Sequence, residues 1–191
     1  MPKGKKPNDT ATNGAEPLSS KMIKEIERLT ELGEYGYSFP RINPALLLVP
    51  APTQEDAEVL ATKRAALSLI KKGITDRILW GKQALEEAME KVQESFPDME
   101  VSPDKWRELD PEYLEAFLAV FRMLEPFSTK SRELSDLFVT LDYLDSLKQR
   151  LAYVEDQLEW TEPPYLEELG VKSWWIKMYR SVLESLKTEV H

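Results

Sequence analysis

The chain has no cysteine, and its one histidine is His191, the last of 191 residues. Disulfide frameworks, thiol nucleophiles and Cys/His zinc sites are therefore excluded, and imidazole acid–base chemistry has only a terminal group to use. His191 itself reads as a frayed end or a tag remnant. Long apolar runs are also missing. The run Ala45-Leu46-Leu47-Leu48-Val49 falls far short of the ~20 residues of a membrane helix. No apolar stretch follows the basic start Met1-Pro2-Lys3-Gly4-Lys5-Lys6-Pro7, so no secretory signal is expected. Positive charge is in the minority: Lys+Arg number 25 against 34 Asp+Glu, a formal charge of -9. That balance favours solubility and disfavours broad phosphate binding. The phosphate cradles G-x-x-x-x-G-K-[ST] and G-x-G-x-x-G do not occur. Nor do Asn-Gly or Asp-Gly turns flanked by alternating β-branched runs, the usual mark of hairpins.

What is there is helical periodicity. The expected fold is all-α, a bundle of four to five substantial helices carrying a Pro-rich extended arm and a disordered N-terminal tail. Residues 1–17 read as a disordered basic tail. An N-terminal helix occupies 18–33, with Ser19 or Ser20 as cap, Met22, Ile23, Ile26 and Leu29 on one face, and Gly33 as a left-handed C-terminal residue. An extended apolar arm spans 34–52, and the helical bundle 53–191. Thr53-Gln54-Glu55-Asp56 resembles a capping box with Asp56 in place of the usual Glu. The helix it opens is expected to end at Gly73, with Lys71 and Lys72 at its negative end. A third helix runs from about Asp76 to Ser95, with Ile78, Leu85 and Val92 repeating every seven residues.

Ser102-Pro103 and Asp110-Pro111 each start a further segment. The second has a rich apolar face in Tyr113, Leu114, Phe117, Leu118, Phe121 and Leu124. The longest helix is expected from about Lys130 to Trp160. Its seam is Leu134, Leu137, Leu141, Leu144, Leu147, Leu151, Val154 and Leu158, a heptad pattern with one three-residue slip. Phe138 widens that face. Pro163-Pro164 is expected to stop it, and a last helix follows Gly170.

The arm is the strongest candidate for function. Tyr35, Tyr37 and Phe39 alternate with period two, and Pro40, Pro44, Pro50 and Pro52 forbid a helix. Such a segment suits a partner's groove or sheet edge, or else lies as a strap over its own bundle. Tyr35, Tyr37, Phe39, Leu47 and Val49 are its contact candidates. Trp174 and Trp175 join them as possible hot-spot residues, although adjacent helical positions point about 100° apart and cannot share one core direction. Packing is the plainer role for tryptophan.

Acidic clusters are the only candidates for catalysis. Glu86, Glu87 and Glu90 form E-E-x-x-E, and Glu133 and Asp136 form E-x-x-D. Carboxylates at these spacings share a helix face and suit Mg²⁺. The pair of motifs resembles in type the acidic motifs of all-α nucleotide pyrophosphohydrolases of the MazG kind, with a longer gap between the two motifs. That resemblance implies a Mg²⁺-dependent nucleotide phosphohydrolase. A solvated helix face is the plainer role for these residues.

The expected function is thus a non-catalytic interaction or structural subunit of a larger protein assembly, with no cofactor or metal and no membrane. It is expected in the cytoplasm or in a particle assembled inside the cell. A second expectation is a subunit of a nucleoprotein complex, an RNA-guided effector or virus particle, in which Lys3, Lys5, Lys6, Lys63, Arg64, Lys71 and Lys72 touch phosphates.

Overall fold

The protein is described from a computed structural model that covers residues 20–34, 53–95, 97 and 132–189, with backbone alone at 188 and 189. Five helices follow in order: α1 Ser20–Glu34, α2 Gln54–Ser95, α3 Arg132–Glu159, α4 Pro163–Glu168 and α5 Ser173–Glu189. No strand occurs among the described residues, and the fold is all-α. No helix among them is long and apolar enough to cross a membrane. The tail at 1–17, nearly all of the arm at 34–52, and the segments opened by Ser102-Pro103 and Asp110-Pro111 lie outside the described residues.

The capping box forms as its residues dictate. Asp56 Oδ2 accepts from the Thr53 N–H (2.6 Å) and hydroxyl (2.8 Å), and the Asp56 N–H donates to Thr53 Oγ1 at 3.2 Å. The helix it opens does not stop at Gly73. It runs unbroken through 42 residues, about 63 Å, and is longer than α3 with its 28. An interior glycine costs about 1 kcal/mol relative to alanine, which packing overrides here. Ala66, Leu67 and Ile70 before Gly73 and Ile74 after it enter the same core. Gly33 is likewise no left-handed cap. It lies buried inside α1, and its carbonyl accepts a hydrogen bond from Arg150 Nη2.

α2 is the spine. α3 packs against it antiparallel, as Arg64–Thr161, Lys71–Glu155 and Gly81–Leu144 pairings show in turn. α1 lies parallel to it: Met22 sits near Val59, and Glu34 near Gly73. The α3 seam is buried at Leu134, Leu137, Leu141, Leu144, Leu147 and Val154; beyond that, Gln157 is buried and Leu158 only half-buried. The stripe has drifted, as a straight helix drifts against a heptad repeat.

Pro163-Pro164 ends α3 but also begins α4, filling its first positions where a missing N–H costs nothing. α4 then closes on Gly170 (φ 85°), whose N–H donates to Glu167 O while the Val171 N–H reaches Leu166 O, each at 3.0 Å. This is a Schellman closure, and Leu166 and Val171 supply its buried apolar contact.

Two cores result. One gathers α1, the first half of α2, the second half of α3, α4 and α5 around Trp175 and Tyr179. The other lies along the far half of the α2–α3 hairpin, with Leu85, Met89, Val92, Leu137 and Leu141.

Candidate functional site

The two adjacent tryptophans divide. Trp175 is fully buried, stacks on Tyr179 with ring centroids 5.6 Å apart, and donates its indole N–H to Thr53 O at 2.8 Å. It belongs to the core and is removed from the candidate contact residues. Trp174 stays 51% exposed. Because Trp175 is tied to Thr53, Trp174 stands at the end of the bundle where α2 begins. Tyr35, Tyr37, Phe39, Leu47 and Val49 lie outside the described residues, as do Lys3, Lys5 and Lys6.

The remaining cationic candidates do not form one patch. Arg64 closes the C-terminal end of α3. Its Nη1 donates to Leu158 O (3.2 Å) and Thr161 Oγ1 (2.6 Å), and its Nη2 to Glu162 Oε1 at 2.5 Å. Thr161 is buried and turns its hydroxyl to Leu158 O, and its carbonyl accepts from the Tyr179 hydroxyl at 2.9 Å. Burial pushes the Tyr179 phenol well above its ordinary range, so it remains a donor. Arg64 is thus held as a structural cap, away from the phosphate-contact role. Lys71 pairs with Glu155 at 2.8 Å, Lys63 is half-buried beside Thr62, and Lys72 is exposed.

The carboxylates are brought partly together. Glu87, Glu133 and Asp136 border a small hollow of about 130 Å³ with Lys91 and Thr140. Glu86 and Glu90 point elsewhere on α2, to its exposed surface. Among the described residues no group of three or more Asp, Glu, His or Cys is arranged to hold a metal ion.

A surface that the periodicity did not single out lies between the helices of the hairpin. Leu79, Trp80, Val139 and Tyr143 are all exposed, Trp80 at 76%. Trp80, Ala84, Val139 and Tyr143 line a hollow of about 300 Å³ beside Gly81. In the continuous helix α2, Trp80 stands well away from either end, on an exposed face. The larger groove, about 640 Å³, lies between α2 and α5 over Leu69, Leu183 and Leu186. Its cations Arg64, Arg180 and Lys187 are each paired with a carboxylate (Glu162, Glu167 and Glu184).

Comparison with protein-family models, with curated proteins and with solved structures finds no match to this chain.

Proposed function

We propose that this chain is a non-catalytic helical subunit that acts by binding other proteins in a larger assembly. One observation carries the proposal: large aromatic side chains stand in water on helices that bury other faces in a core. Trp174 and Trp80 are the clearest cases. Aromatic side chains, tryptophan above all, are favoured at interface centres. Trp174 stands near Thr53 at the start of α2, and the arm residues Tyr35, Tyr37, Phe39, Leu47 and Val49 are proposed as further contact residues. The nucleoprotein alternative has less support, because Arg64 and Lys71 already carry carboxylate partners. The phosphohydrolase alternative finds no metal-holding group among the described residues.

The test is purification from the native host at mild salt, with quantitative mass spectrometry, of the wild type and a Tyr37→Ala/Phe39→Ala/Trp174→Ala variant. Stoichiometric proteins that vanish with the variant, at unchanged helical circular dichroism, are expected. A chain that emerges alone, or partners indifferent to the three changes, would overturn the role. Partners released only by salt, with nucleic acid among them, would favour the nucleoprotein alternative.

A further inference from the structure

The hairpin face around Trp80 is polarised along its length. Its middle is apolar, formed by Trp80, Ala84, Val139 and Tyr143. Arg77 borders one end, and Glu87, Glu133 and Asp136 the other. The apolar hollow and the acidic one share Ala84 and Thr140, so they form one continuous groove. Lys91 lies in the acidic hollow and Arg132 Nε is 3.9 Å from Asp136, so two cations stand against three carboxylates and the net sign of this end stays negative.

The spacing is self-complementary. Arg77 and Glu87 lie about 15 Å apart along α2, with Lys82 midway between them. A two-fold axis crossing the groove at the level of residue 82, in the plane of the face, turns a second copy end for end; Lys82 itself lines neither hollow. Arg77 of each copy then lies over the other copy's Glu87. Trp80 of each lies over the other copy's Ala84, a large side chain on a small one. A uniformly basic partner would meet Arg77 and a uniformly acidic one the carboxylates, whereas a reversed second copy matches both ends. An isologous contact requires this kind of self-match.

We propose that this face is closed by a second copy of the chain, in an antiparallel two-fold dimer centred on Trp80. The proposal rests on reading the exposed aromatics as contact surface, and it names the partner for one of them.

Sedimentation equilibrium of the purified full chain over a wide concentration range tests it. A mass of twice 22.0 kDa is expected. Trp80→Ala should weaken the dimer at least about tenfold, as loss of a central aromatic anchor does. Arg77→Glu should weaken it too, and Arg77→Glu combined with Glu87→Arg should recover most of the loss, because the swapped pair reforms across the axis. All three positions lie on the hairpin face, so circular dichroism should not change. A monomer at every concentration, a dimer indifferent to Trp80→Ala, or a charge swap without recovery overturns the proposal. A monomer that still captures proteins through Trp174 leaves the interaction role standing while this dimer falls.

Discussion

The indole N–H of Trp175 donates to the backbone carbonyl of Thr53 across 122 residues of chain, at 2.8 Å. The acceptor is the N-cap residue of α2, whose carbonyl also receives the Ala57 N–H at 3.4 Å. One hydrogen bond therefore anchors α5 to the start of the spine. Trp175→Phe keeps most of the ring and deletes the donor. A loss of about 1 kcal/mol is expected, against about 3–5 kcal/mol for Trp175→Ala, which empties a fully buried site. Urea denaturation measures both, and an equal cost for the two variants would show that the bond, rather than the packing, dominates.

The two glycines inside α2 should respond in opposite senses to alanine. A Cβ at Gly73 meets nothing nearer than Glu34 Oε1, 3.8 Å away. Gly73→Ala should therefore stabilise by about 0.5–1 kcal/mol through helix propensity. At Gly81 the added Cβ would lie 2.5 Å from Leu144 Cδ2 and 3.2 Å from its Cγ. Leu144 is itself buried in the hairpin core, so the overpacking cost of about 1–3 kcal/mol should exceed the propensity gain. Thermal melts of the two single variants decide the sign of each.

Arg64 bonds the turn after α3 through two carbonyl or hydroxyl acceptors and one carboxylate. Arg64→Met should cost about 2 kcal/mol, in the range for hydrogen bonds made by a charged group. Arg64→Lys should not restore it, because an ammonium lacks the planar fork that reaches Leu158 O, Thr161 and Glu162 together. Guanidinium unfolding curves of both variants test this, and full stability of the lysine variant would show that charge alone is needed.

Acid should selectively weaken the start of α2. The Thr53 N–H and hydroxyl hold the Asp56 carboxyl below its usual range. A depressed pKa in the folded state contributes stability above the ordinary aspartate range, and that contribution disappears as pH falls through the lower folded value. Asp56 is solvent-exposed, so the effect belongs at the low end of capping energies, on the order of 0.5 kcal/mol. Asp56→Ala should thus be less stable than wild type at neutral pH, and the gap should close in strong acid. A gap that persists unchanged at low pH would remove the carboxylate from the cap.

The all-α class, the Thr53 cap and most of the buried seam of α3 are legible in periodicity and cap chemistry. Gly73 and Gly33 misled because a glycine near the end of a periodic run looks like a stop. Whether it is one depends on tertiary packing, here the continuous stripe from Leu67 to Ile74 and the Arg150 contact. α4 was hidden by its own prolines, which can end one helix and begin the next. The contact surface was the least legible part. Trp80 and Tyr143 fall outside the apolar stripes, and only the antiparallel pairing of α2 with α3 sets them side by side. The Arg64 knot was invisible for the same reason: its acceptors lie more than 90 residues away.

α2 belongs to two cores, and Ile78 packs against both. The half before Ile78 is held among the described residues by α1, α3 and α5, and the half beyond it by α3 alone. Fewer supports mean a lower free energy of local opening. Amides of the far half should therefore exchange with solvent before those around Leu67 and Ile74, while Trp175 stays fastened to Thr53. Trp80 sits on that looser half. Whatever binds there also tightens the segment that presents it, so affinity at this face and order along the hairpin rise together.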